Sequence, residues 1–409
     1  MTGPLSHIRV LDLSRVLAGP WAGQVLADLG ADVIKVERPE SGDDTRAWGP
    51  PFLKDADGKP GDAGYFLAVN RGKRSVAVDL STTEGQEVVK ALAAQSDIVL
   101  ENFKAGTLQR YGLDYESLSQ VKPDLIYCSI TGFGQTGPRK ADAAYDFMIQ
   151  AMGGLMSVTG EADGKPGGGP QKVGVPIVDL MTGMYAAIAC LAALARRAHT
   201  GRGDYVDIAM LDVQVSFLLN QAMNFLISGK PPRRSGNAHP NIQPQDVFPC
   251  QDGHIVLAVG NDGQFSKLCE VLGQPDLAAD ARFAKNAGRI ANQAELSAIL
   301  LAALATWPMT DLLQRLADAG VPSGPINTIP RVFEDPQVKH REMVVKVAHP
   351  LAPELPQIAS PMRFSEAPVT YRRHPPLLGE HTREVLQELG IDMPAEAGAA
   401  EPHHATASR

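Results

Sequence analysis

Short apolar runs of strand character alternate with helix-length segments over the first 135 residues, and this alternation restricts the fold more than any other feature. Ile8–Leu13 reads as a strand. Pro20–Leu29 follows as a helix with Pro in its first turn and Gly30 at its end. Ala31–Glu37 is a second strand and Ser75–Leu80 a third. Ser81-Thr-Thr-Glu84 has the spacing of a capping box that opens a helix to about Gln95. Asp97–Asn102 and Leu125–Ile130 are further strands. Such a chain is expected to form an α/β fold, a large doubly wound Rossmann-like domain whose parallel sheet binds ligand at the strand carboxyl ends.

Downstream the pattern loosens. Residues 139–178 are irregular and rich in Gly. Asp179–Arg196 is the strongest helix, Ala-rich inside, with Arg196 and Arg197 where cations favour the helix dipole. Asp207–Phe217 continues as helical or mixed structure. Lys230-Pro-Pro-Arg-Arg-Ser-Gly236 marks a boundary. Beyond it come a strand at Gly253–Val259, a helix from about Phe265 and others within Asn292–Ala319. The expected division is a large domain at 1–225, a smaller α+β domain at 226–328, a return to the large domain at 329–392 and a disordered tail at 393–409.

Composition excludes several classes of function. Forty-six acidic residues against 38 basic give a net charge of -8, so no global positive field attracts nucleic acid or an anionic membrane. The longest apolar run, around Met184–Leu194, is short of the ~20 residues of a membrane span. No signal-like segment stands at the N-terminus. Four widely spaced cysteines without a C-x-x-C pair read as reduced thiols of a cytoplasmic protein. The ten histidines include no H-E-x-x-H, so no metal is expected, and no G-x-S-x-G elbow occurs.

Gly132-Phe-Gly-Gln-Thr-Gly137 matches a dinucleotide fingerprint, but Pro138 and the residues after it do not open the helix that a pyrophosphate needs. Asp179, at the mouth of the Ala-rich helix, reads as an N-cap or as a carboxylate nucleophile presented at a helix N-terminus. Asp146 is a second isolated carboxylate before a helix, and it too reads as a cap. Arg38, Arg46, Arg71, Lys73, Arg74, Lys104 and Arg110 fall near strand ends; on one rim they would suit a polyanion such as a phosphorylated adenosine group. His239 lies in the loop Gly236–Pro244.

Taken together, several segments resemble the class III CoA-transferases, of the formyl-CoA transferase and carnitine CoA-transferase type. They are Arg9–Pro20, Leu29–Arg38, Ser41–Arg46, Glu101–Phe103, Ile130–Pro138, Val178–Leu180 and Ala319–Asn327, and they occur in the family's order across about 1–385. The resemblance implies a large Rossmann-like domain plus a small domain, with two chains interlocked as a homodimer. It places the catalytic Asp at Asp179 and CoA contacts at Leu17, Ala18, Arg38, Asn102, Phe103 and Arg110. Asp146 falls where formyl-CoA transferase carries a Glu near the site. CoA and acyl-CoA enter as substrates, with no permanently bound cofactor.

The stretch Gly236–Pro244 replaces the Gly-rich lid of formyl-CoA transferases and looks more like the branch that moves CoA from succinyl-CoA to dicarboxylates. Arg46, Arg71 and His239 are then candidates for the acceptor's distal carboxylate. Related α-methylacyl-CoA racemases carry a His before the position of Asp146; here it is Tyr145, which removes a usual base. A racemase and a non-catalytic CoA-binding protein are the alternatives. As a nucleophile that must be ionised, Asp179 is expected to need no raised pKa.

Overall fold

The structure is a computed structural model, and it describes residues 3–391. The tail expected at 393–409 lies outside the described residues. The chain divides into two compact units, one of residues 3–153, 174–219 and 337–391, the other of residues 154–173 and 220–336.

The larger unit is built on a six-stranded sheet. Its strands are β1 (Arg9–Asp12), β2 (Asp32–Glu37), β3 (Lys73–Ala77), β4 (Ile98–Glu101), β5 (Ile126–Thr131) and β6 (Asp204–Ala209). Their spatial order is β3-β2-β1-β4-β5-β6, and every neighbouring pair is parallel. This is the doubly wound order, with its reversal between β1 and β4; ligands of such sheets bind in the crevice beyond the carboxyl ends at that reversal. Val10, Leu11, Val33, Ile34, Ile98, Val99 and Leu100 are fully buried, as expected of strands covered on both faces.

Three helices position the site: α1 (Ala18–Asp28), α2 (Asp146–Met152) and α3 (Ile177–Thr200). α3 packs along α1, and Gly183 sets the approach, since a Cβ there would lie 2.5 Å from the Ala18 carbonyl oxygen. At 24 residues α3 is long and apolar enough to cross a bilayer by length and composition, which the run read at Met184–Leu194 did not suggest. One face, including Ala186, Ala187, Cys190 and Ala193, is buried in this unit's core with Val25, Leu26 and Ile126, while Val178 packs with Ile149 and Met210.

Local detail refines the sequence reading. The 81–95 helix runs Thr83–Ala94 with Thr82 as its cap, accepting from Gly85 N–H at 3.0 Å; with Gly85 three residues on, the box read from Ser81 gives way to a single cap. The mixed stretch from Asp207 resolves into the end of β6, an edge strand whose burial alternates along Asp204–Ala209, and a helix at Met210–Ser216. As Pro138 led one to expect, no helix opens at the Gly-rich turn; after Gly137 the next helix begins at Asp146. The smaller unit holds an antiparallel sheet of Gln245–Cys250, Gly253–Ala258 and Ser323–Pro325, packed with helices such as Gln293–Leu304 and Met309–Asp318 around Phe265, Phe283 and Leu300.

Candidate active site

Asp179 is the third residue of α3, not its N-cap; Pro176 occupies that position and offers no side-chain hydrogen bond. The cap comes from elsewhere. Asp146, at the start of α2, accepts the backbone N–H groups of Val178 at 2.7 Å and Asp179 at 3.2 Å through Oδ1. Its Oδ2 accepts from Gln150 Nε2 at 2.6 Å. Asp179 repeats the device on α1. That helix has no side-chain cap at Leu17, and the N–H of Ala18, its first residue, is close enough to the Asp179 carboxylate to favour its ionised form. Two carboxylates thus close two helix ends, each from outside the helix it serves.

This arrangement changes the charge of Asp179. Burial, and then the negative charge of Asp146, push its carboxyl up to about 7 despite the Ala18 N–H. The expectation of an unshifted Asp179 is therefore corrected: a half-buried carboxylate beside a second one pays in desolvation and repulsion. Tyr65, which no motif singles out, is half-buried nearby. Burial and the charges of Asp179 and Asp146 push its phenol up to about 12, so the hydroxyl stays protonated. Its ring meets Trp48 edge-on at 5.4 Å.

The loop that carries Leu17 and Ala18 follows β1. Both side chains are buried, leaving their backbone as what they can offer a ligand. Val16 stands at φ 70°, a left-handed conformation that a β-branched residue rarely adopts. Asn102, just beyond β4, grips the loop from across the sheet reversal: its Oδ1 accepts Arg15 N–H at 2.8 Å and its Nδ2 donates to Arg15 O at 2.7 Å. Phe103 N–H donates to Glu101 at 2.8 Å, and the Arg15 guanidinium lies 5.6 Å from the Phe103 ring. Arg38, Lys104 and Arg110 are exposed beyond the carboxyl ends of β2 and β4.

The proposed rim of cations is only partly there. Arg71 precedes β3, while Lys73 and Arg74 lie inside it, at the amino end of the strand. Arg46 is buried, with two hydrogen bonds to Glu37 at 2.8 and 2.7 Å and one to Asp62 at 2.7 Å. Arg71 is buried in a two-bond pair with Asp28 at 2.9 and 2.7 Å. Lys73 binds Asp12, and Arg74 binds Asp32 and Glu388. As holders of an acceptor carboxylate, Arg46 and Arg71 are corrected: their donors are spent inside the protein. His239 lies in the smaller unit, where its Nδ1 accepts Asn241 N–H at 3.1 Å. Tyr145, which replaces a possible base, is 66% exposed. Among the described residues no group of three His, Cys, Asp or Glu side chains is placed to hold a metal.

The family model for CoA-transferase family III matches residues 5–382. Succinate–glutarate CoA-transferase of Agrobacterium fabrum is 52% identical over 386 residues, which cover 94% of this chain and 96% of that protein. Succinyl-CoA:mesaconate CoA-transferase of Haloarcula hispanica is 43% identical over 397 residues, covering 95% and 97%. A crystal structure of a CaiB/BaiF family protein from Brucella suis superposes with a TM-score of 0.84 at 52% identity, covering 95% of this chain and all of that one. With the doubly wound sheet and a carboxylate held at its reversal, these matches place the chain in CoA-transferase family III.

Proposed function

We propose that the protein transfers CoA reversibly from succinyl-CoA to a dicarboxylic acid of glutarate type, with Asp179 as the covalent relay. The observation that carries this reading is the half-buried Asp179 carboxylate, held by the Ala18 N–H at the carboxyl edge of the sheet and pushed up to about 7. The names of the relatives support the choice of donor and acceptor class.

Ionised Asp179 attacks the thioester carbonyl; the C–S bond breaks, CoA leaves as thiolate, and a mixed anhydride remains. The thiolate then attacks the aspartyl carbonyl of that anhydride, releasing the donor carboxylate and leaving an aspartyl-CoA thioester. The acceptor carboxylate runs the two steps in reverse. Each intermediate is an activated acyl group, so the thioester's free energy is conserved. A carboxylate with its pKa near 7 is more basic, and so a stronger nucleophile, than an ordinary aspartate, while remaining about half ionised at neutral pH. The Ala18 N–H stands where a developing oxyanion on the aspartyl group would accept it.

CoA would reach the site over Leu17, Ala18, Asn102 and Phe103, its phosphates meeting Arg38 and Arg110. The acceptor's second carboxylate is not assigned to Arg46 or Arg71, and Tyr65 with its protonated hydroxyl is the better candidate to face it. We read the chain as a cytoplasmic homodimer. Four free cysteines fit a reducing compartment. Helix Leu219–Ser228 leaves Leu219, Leu226 and Ile227 72%, 71% and 79% exposed, an apolar surface that suits a second copy.

The test is a CoA-exchange screen with succinyl-CoA against glutarate, itaconate, mesaconate, citramalate, malate, oxalate, formate and carnitine, joined to hydroxylamine trapping and peptide mass analysis. Transfer to a dicarboxylate with a hydroxamate on Asp179 is the expected result. Exchange of α-hydrogen without transfer would favour a racemase, and CoA binding with neither would favour a binding protein.

A further inference from the structure

A cluster of four charged side chains lies beneath the Ser14–Leu17 loop, none of them facing solvent. Asp12, Lys35 and Lys73 are 0% exposed and Asp43 1%. They form two ion pairs, Lys73–Asp12 at 2.8 Å and Lys35–Asp43 at 2.9 Å. Gly23 of α1 covers the first pair; a Cβ there would fall 2.8 Å from Asp12 Oδ2.

Buried ion pairs are weak devices for stability, because desolvation offsets most of their attraction. These spend their remaining bonding capacity on backbone. Asp12 Oδ1 accepts Ser14 N–H at 3.0 Å. Lys35 Nζ donates to Ser14 O at 2.7 Å. Asp43 accepts Val16 N–H at 3.2 and 3.3 Å, and Lys73 Nζ donates to Pro20 O at 2.8 Å. With Asn102 holding both polar groups of Arg15, the backbone from Ser14 to Val16 is gripped at five of its six N–H and C=O groups. The residue so forced is Val16 at φ 70°, two positions before the N–H that meets Asp179. Left-handed backbone at a β-branched residue persists only where the surroundings impose it, and it concentrates at functional sites.

We infer that Lys35 and Asp43, with Asn102, are positioning residues: they hold Val16 in its strained conformation and so aim the Ala18 N–H at the Asp179 carboxylate. The inference rests on Asp179 being the acylated group. None of the three touches the reacting atoms in this role. Their effect passes through one peptide loop, and a shift of about 1 Å there would cost on the order of 100-fold in rate.

The experiment uses the full chain with two variants. Lys35→Met/Asp43→Asn removes both buried charges together, keeps approximate volume and leaves an oxygen at position 43. Asn102→Asp, at the half-exposed rim, keeps the acceptor for Arg15 N–H and loses the donor to Arg15 O, so it tests the same loop without disturbing the interior. The readouts are kcat at saturating substrates, its acid limb, and the rate at which hydroxylamine traps acyl-Asp179. Losing the Ala18 N–H withdraws a bond that favours the ionised carboxylate. The acid limb is therefore expected to move to higher pH by half a unit or more, with kcat and trapping rate down 10- to 100-fold, in each folded variant. A purely structural role would lower Tm and leave the acid limb in place, and that result in Asn102→Asp overturns the inference whatever the double variant does. Absence of an Asp179 adduct in the wild type would remove the covalent reading and this inference together; a wild-type adduct with unmoved limbs in the variants removes the inference alone.

Discussion

Asp146 accepts the backbone N–H of Asp179 at 3.2 Å while its negative charge opposes ionisation of the Asp179 side chain. One residue thus supports the helix that presents the proposed nucleophile and raises the pKa of that carboxyl. The two roles separate on substitution. Asp146→Asn keeps an oxygen for Val178 and Asp179 and removes the charge. The acid limb of CoA transfer should shift to lower pH by up to about one unit. Asp146→Ala loses the acceptor too and should cost about 1–2 kcal/mol of stability in denaturant titration.

Asp179→Asn should abolish transfer by about 10⁴-fold or more while CoA still binds, as read by exchange kinetics and calorimetry. Stability should move the other way. The folded-state pKa is raised to about 7 from 3.8, so the neutral acid is the form the fold favours. That contribution is complete below about pH 4 and is lost as pH rises through 7. The Asn variant should therefore resist urea better than the wild type at pH 8 and match it near pH 4.

Glu101 offers an independent pH test. Burial pushes its carboxyl up to about 7 from 4.5, with the Ser129 hydroxyl and Phe103 N–H offsetting part of the cost. The wild type should lose stability between about pH 4.5 and 7 on this account, by about 3 kcal/mol at most. Glu101→Gln should flatten that part of the stability profile, measured by urea unfolding across the same range.

Arg46→Met leaves Glu37 and Asp62 without their partner in a buried site, and should cost on the order of 3–5 kcal/mol. Its mark would be a lowered Tm. The KM of the surviving folded enzyme for the acceptor acid should stay within about twofold. A large rise in KM with unchanged Tm would return Arg46 to the substrate site.

Strand positions were readable because period and burial coincide: β1, β2, β4 and β5 lie within a residue or two of their apolar runs. Asp179 was legible as a carboxylate at the mouth of an Ala-rich helix, but its residues alone read also as a cap, and only the family resemblance singled it out as a nucleophile. The fate of the cations was not legible. Whether Arg46 or Arg71 faces a ligand or a carboxylate depends on Glu37, Asp62 and Asp28, and only the folded sheet brings those together. The raised pKa of Asp179 was hidden for the same reason, since Asp146 is 33 residues away in the chain. Tyr65 carried no motif; its relevance comes solely from where two carboxylates sit.

The borrowed closure of α1 has a consequence for turnover. On the proposed pathway, acylation converts the Asp179 carboxylate into a neutral ester-like group, and the amino end of α1 loses the anion that terminates it. The N–H released from that duty is the one nearest the oxygen on which charge next builds. Loading the enzyme would then relieve the desolvation and the Asp146 repulsion that the resting carboxylate bears, and free that N–H for the following step in the same instant, so the neutral intermediate sits comfortably in a pocket that opposes the charged resting group.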